Sequence, residues 1–257
     1  RLPEGKLQFR ANGQLETAKQ HLSVQHATLT YNDFSVTVSG TYEHVNHGRL
    51  NVEVDASTND LPLLEKLLRP DAIQDNRDLL RGGDVYVKGR LYGDLRNAPP
   101  QFDFTFGVKD LSFRLPGKYG SFRNLGFAGR ASSGTSPDYS GATLRLTQLQ
   151  GQVPGGFIKG DFTVTNFVKP WLTCDLNAQF SLDGYDKAFR ISRVEGLTGS
   201  VSAKIGFNGP LNMPWPGSKG PKAKFDASFR VSKLSFTIPG KKEGFRDIGL
   251  TGIFTSG

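Results

Sequence analysis

The side chains most able to do chemistry are Glu43, His44 and His47, which set two histidines at H-x-x-H spacing beside a carboxylate. Three such groups hold a metal ion only if they converge on one point. Here they fall on the short connection HVNHG between two alternating apolar segments, which reads as a surface hairpin turn. His21 and His26 stand without an evident partner. Cys174, the single cysteine, lies within the alternating segment Leu172, Cys174, Leu176 and reads as a buried, inert thiol, because a reactive thiolate needs an electropositive, partly open setting. Asp71, Asp75 and Asp78 are spaced to solvate the outer face of a short helix. No G-x-S-x-G elbow, P-loop or G-x-G-x-x-G fingerprint is present, and no pair of carboxylates sits in a setting that suits glycoside hydrolysis. The expectation is a protein that is not an enzyme and uses neither metal nor cofactor.

What remains to be explained is a scaffold. Across 257 residues there are 31 Gly and 19 Phe against one Met and two Trp, a pairing that suits many turns joined by half-buried strands. One cysteine allows no intrachain disulfide, so burial and ladder hydrogen bonds must hold the fold. The net charge of +8 is scattered, with local concentrations only at Lys219, Lys222 and Lys224 and at Lys241 and Lys242. It therefore reads as a solvated surface, and no nucleic-acid partner is expected. No apolar run reaches the roughly 20 residues a spanning helix needs, and no signal peptide opens at Arg1.

The strongest internal signal is repetition. Gln101–Gly134 placed on Lys224–Gly257, an offset of 123, matches at 16 of 34 positions without a gap. At an offset of 116, Gly83, Val85, Lys88, Gly93 and Leu95 match Gly199, Val201, Lys204, Gly209 and Leu211, the difference being absorbed by the Pro- and Gly-rich stretch NMPWPGSKGPKA. Arg49–Ser57 resembles Trp171–Gln179 in pattern only. The division expected is a first, partial β unit over 1–100, a second over 101–223, and the start of a third over 224–257, each full unit being about 120 residues.

Each unit must contain several strands. Phe102, Phe104, Phe106 and Val108 alternate with Gln101, Asp103, Thr105 and Gly107, after which the parity slips and Leu111, Phe113 and Leu115 become the apolar set. One inserted residue does this while keeping the same face apolar, which predicts a β-bulge near Lys109 and Asp110. Phe225, Phe229 and Val231 followed by Leu234, Phe236 and Ile238 repeat the slip. About thirteen such runs can be counted. Helix is scarce: Asp60, Pro62 and the leucine stripe of LPLLEKLLRP predict one near 61–80, with a second short piece over Asp71–Leu80, and GYDKAFRIS is weakly helical.

Antiparallel strands with this alternation have a dry side and a wet side, and something must cover the dry side. Thirteen strands in one sheet would extend roughly 60 Å, further than an open twisted sheet goes without curling, so the fold class expected is mainly β, a curved antiparallel sheet leaving an apolar groove. The residues expected to line that groove are Phe102, Phe104, Phe106, Val108, Phe113, Ile205, Phe207, Phe225, Phe229, Val231 and Phe236. The alternative is tandem β-sandwiches of a cell-surface spacer, with the same residues in a sealed core.

The succession VDASTNDLPLLEKLL, GGDVYVKGRLYGDL and FDFTFGVKDLSF resembles the repeats of the AsmA family, the AsmA/TamB-like periplasmic β-repeat proteins, over most of the chain. The resemblance implies a β-taco with an apolar groove and a part in delivering phospholipid or another acyl lipid to the outer membrane. It also implies a periplasmic location, with an inner-membrane helix upstream of Arg1 as anchor.

Overall fold

In a computed structural model the chain forms one sheet; the structure describes residues 5–44, 48–59, 61, 80–96, 98–114, 121–183, 193–211, 223–241 and 244–256. Thirteen strands follow one another in the sheet in the order of the sequence, each antiparallel to the next. They are β1 (Leu7–Glu16), β2 (His21–Tyr31), β3 (Phe34–Glu43), β4 (Arg49–Thr58), β5 (Leu80–Asp94), β6 (Gln101–Arg114) and β7 (Ser121–Ser132). There follow β8 (Thr143–Val153), β9 (Gly156–Thr165), β10 (Trp171–Ser181), β11 (Glu195–Pro210), β12 (Lys224–Thr237) and β13 (Gly244–Ser256). The sheet is curved and does not close, and the expected unit boundaries at 100 and 223 fall in connections between strands rather than at any break in the ladder.

Turn chemistry makes this meander. Asn32, in the left-handed region at φ 53°, turns β2 into β3 in two residues, and Pro154 followed by Gly155 at φ 73° turns β8 into β9. A single 3-10 turn at Thr17–Lys19 joins β1 to β2. The helix expected near 61–80 lies outside the described residues beyond Leu61, as does the weak helix over residues 184–192.

The parity slip becomes a bulge in β6, where Asp110 takes φ 53° and the register with β7 shifts between Val108 and Leu111. Neighbouring strands carry their own, at Asn124 in β7 and Gln148 in β8. Lys233 in β12 and Asp247 in β13 repeat the first two, each 123 residues on. Bulges add local twist and bend the strand, so a file of them across adjacent strands curves the sheet.

There is almost no interior. Of the described apolar side chains, only Tyr31, Leu61, Ala142, Val153 and Ala178 are buried. The accessible surface is 17473 Å², whereas a compact monomer of 28.1 kDa exposes about 11,000 Å². The alternative of tandem sandwiches requires two facing sheets; the described strands form one curved sheet, as expected. A single layer replaces it because each strand is hydrogen-bonded beside the next one in sequence, across short and long connections alike.

Candidate functional site

Directly opposed residues of an antiparallel ladder share a face, so register decides which side chains assemble. One row runs Phe9, Leu29, Val36, Ala56, Val87, Phe106, Gly129, Leu146, Phe162, Cys174, Phe207, Phe225, crossing from β1 to β12 without a polar residue. Its neighbour on the other side of the sheet runs Arg10, Thr28, Thr37, Asp55, Lys88, Thr105, Arg130, Arg145, Thr163, Thr173, Asn208, Lys224 without an apolar one. The two sides of the sheet are thus chemically opposite along nearly its whole extent.

They also differ in shielding. In β4, Leu50, Val52, Val54 and Ala56 are half-buried while Arg49, Asn51, Glu53, Asp55 and Ser57 are exposed, and β12 shows the same alternation. Among the described residues no second sheet lies on the apolar side; its shielding comes from neighbouring side chains and from curvature. Shielding fails at the edges, where Phe9 is 67 % and Phe254 57 % exposed.

The expected groove residues fall on this face as two ribs. Phe102, Phe104, Phe106 and Val108 lie on β6, while Ile205 and Phe207 of β11 adjoin Phe225, Phe229, Val231 and Phe236 of β12, with Phe207 directly opposite Phe225. Phe113 takes the register position opposite Phe122. From β6 to β11 is five ladder steps, about 24 Å. The ribs do not touch; what joins them is the apolar lining of β7–β10, including Phe127, Leu146, Phe162 and Leu176.

Several phenylalanine rings lie over glycines. A Cβ on Gly129 would come 2.5 Å from Phe106, one on Gly252 2.4 Å from Phe229, and one on Gly89 2.6 Å from the Phe104 ring, each glycine being the direct cross-strand partner of that phenylalanine. Rings also meet one another: Phe106 is edge-on to Phe127 with centroids 6.3 Å apart, Phe229 stacks on Phe254 at 5.8 Å, and Phe236 on Phe245 at 4.9 Å. Laid flat over glycine, a ring makes floor rather than a ridge. This lining was readable only once each phenylalanine had a cross-strand partner, which periodicity along one strand does not supply.

Cys174 stands between Phe162 and Phe207 in the apolar row, and burial raises its thiol above the ordinary range. Its exposure is intermediate rather than buried. His44 bonds the Tyr42 hydroxyl through Nδ1 at 3.1 Å, and Glu43 lies 3.4 Å from His21, the residue opposite it in the ladder. His47 and Asp71, Asp75 and Asp78 lie outside the described residues. His26 contacts the Thr28 hydroxyl at 2.6 Å.

The polar side carries a hollow of about 520 Å³ whose walls include Asp55, Lys88, Arg90, Asp103 and Arg130. Its charges largely answer one another. Lys88 reaches Asp55 at 3.1 Å, Arg130 grips both oxygens of Asp103 at 3.1 and 2.8 Å, and Arg90 lies over the Tyr92 ring at 4.6 Å. The Arg130 hydrogen bonds hold the Asp103 carboxyl below its ordinary pKa. Such exposed pairs add little stability. Comparison with protein-family models, with curated proteins and with solved structures finds no match to the chain.

Proposed function

We propose that the chain is a non-catalytic segment of a bacterial envelope protein whose apolar side shelters acyl lipid, phospholipid foremost, during transfer toward the outer membrane. The observation that carries the reading is the apolar row of twelve consecutive strands with no second layer over it among the described residues. A face of that extent, hundreds of Å² and open, signifies something that binds it. Each methylene withdrawn from water contributes about 0.8 kcal/mol, so ten of them amount gross to about 8 kcal/mol, the scale of micromolar affinity. One acyl chain is enough.

The resemblance to AsmA-like repeats supports a periplasmic location and an inner-membrane helix upstream as anchor. The recurrence of left-handed bulge residues at Asp110 and Lys233, and at Asn124 and Asp247, supports tandem units of about 120 residues. The test is native mass spectrometry of the purified chain with extraction of its bound organic phase. Co-purifying phospholipid is expected; a lipid-free chain that also fails to take up fluorescent phospholipid from vesicles of phosphatidylethanolamine and phosphatidylglycerol overturns the reading.

A further inference from the structure

On the polar side of the sheet, corresponding stretches keep one register and differ in charge. Lys88 faces Asp55 and bonds its carboxylate at 3.1 Å, while Tyr86 faces Gly107 and Asp84 faces Lys109. An offset of 116 carries β5 onto β11, 122 carries β4 onto β10 and 123 carries β6 onto β12. At the matching positions Lys204 faces Asn177, Ser202 faces Arg230 and Ser200 faces Ser232. The lysine is kept and its carboxylate has become an amide. An arginine stands where the earlier stretch has glycine, and the facing acid and base have become two serines.

Size changes together with charge. The Tyr86 ring lies over Gly107, where a Cβ would come 2.6 Å from the tyrosine hydroxyl oxygen. Ser202 has no ring to place over its own partner, and a hollow of about 570 Å³ lies there. Its walls include Lys204, Arg230 and the serines 200, 202, 228 and 232, and among the described residues no carboxylate. The hollow beside Lys88, by contrast, sets Glu53, Asp55 and Asp103 against Lys88, Arg90 and Arg130. Asp161, Asp175 and Asp226 stand in the row through Gly206, two residues along β11 from Lys204. Among the described residues neither Lys204 nor Arg230 forms an ion pair with them or with any other acid. Both cations belong to strands that are paired on either side.

We infer that this hollow binds a phosphate group, free or carried on a small ester. Lys204 faces Ser228 and Arg230 faces Ser202, so the two cations hold diagonal positions of one strand pair, within joint reach of a single oxyanion. The guanidinium offers a planar fork of donors and the ammonium a mobile point charge, and the serine hydroxyls add donors around a tetrahedral anion. A phosphate monoester brings a charge of about −1.5 to −2 at pH 7, which answers both cations. Beside Lys88 the same lysine position is already answered by Asp55, so the site belongs to the later stretch alone. It lies on the opposite side of the sheet from the apolar row and stands apart from the lipid reading.

The test is isothermal titration calorimetry of the whole chain with inorganic phosphate and with glycerol 3-phosphate. Flotation with phosphatidylcholine vesicles that contain or lack phosphatidic acid follows. Expected is saturable binding of a soluble probe, weakened about tenfold by Asn177→Asp and by Arg230→Gly, which restore the residues found at Asp55 and Gly107. Ser202→Tyr, which returns the ring, should block binding, and Lys88→Gln should leave it unchanged, with the circular dichroism unaltered in each variant. Flotation that needs phosphatidic acid and is competed by glycerol 3-phosphate assigns the phosphate to a lipid headgroup; soluble binding without flotation assigns it to a free ester or ion. Three results each overturn the inference: no binding of either soluble probe, binding undiminished by both Asn177→Asp and Arg230→Gly, or an equal loss from Lys88→Gln, which would mark diffuse attraction to the net charge of +8.

Discussion

Replacing Phe229 by Asp separates an open face from a sealed one. The ring lies over Gly252, faces Ala203, stacks on Phe254 at 5.8 Å and is only partly shielded from solvent. Fully burying a phenylalanine is worth up to about 3 kcal/mol and an aromatic pair about 1 kcal/mol more. Since Phe229 realises only part of that burial, the loss on truncation is about 2 kcal/mol. Asp placed there stays in contact with water, so no penalty for an unpaired buried charge is added. A shift in Tm of about 4–8 °C follows for a chain of this size. Thermal melts followed by circular dichroism give the stability, and lipid extraction from the same preparation gives the occupancy. The variant should remain folded at 25 °C with its bound phospholipid sharply reduced. An unfolded or aggregated Asp variant, with Phe229→Ala folded and undisturbed, would mean that the charge had been forced into a closed interior, and the reasoning from an open face would be wrong. Phe104→Asp, at the other rib, should behave alike.

Three further outcomes follow from the geometry. Asp103→Asn should slightly lower the urea midpoint at neutral pH, with the difference shrinking as pH falls below the ordinary carboxylate range. The sign follows from the lowered pKa of Asp103: its contribution is present above the unfolded carboxylate value and is lost as pH falls through the folded one. Gly129→Val must displace the Phe106 ring, which a Cβ would approach to 2.5 Å, and should cost about 1–3 kcal/mol; Gly249→Ala, with nothing within 4 Å, should be nearly neutral in the same urea titration. Cys174 should react slowly with iodoacetamide at neutral pH and faster as pH rises, because burial raises its thiol pKa, and added phospholipid vesicles should slow it further. An alkylation rate indifferent to lipid, with lipid uptake shown independently, would place the cargo away from the row holding Phe162 and Phe207.

Strand content was legible because period-2 alternation is local: the run Phe102, Phe104, Phe106 needs no knowledge of its neighbours to be read. The bulge at Asp110 was legible for the same reason, as a parity slip along one strand. Pairing was not. That Phe106 would lie over Gly129, or that Asp103 would be gripped by Arg130, depends on residues 23 and 27 positions away in a register set jointly by turn lengths and bulges. Period-2 alternation therefore marks two aromatic ribs but not the aliphatic lining between them, since Leu146 and Leu176 in isolation look like ordinary strand residues. It also left sandwich and groove in competition, because identical alternation serves a face sealed by a second sheet and a face left open. Only topology distinguishes them.

Topology also explains how so large a chain holds together with five buried apolar side chains among its described residues. Each strand meets its two ladder neighbours and little else, so stability is a sum of adjacent pairings rather than the property of one core, as in other linear repeat architectures. In such an assembly a central strand such as β6 is held by β5 on one side and β7 on the other. Apolar surface that a globular protein would bury to gain its stability is then free for a ligand, because folding does not depend on closing it.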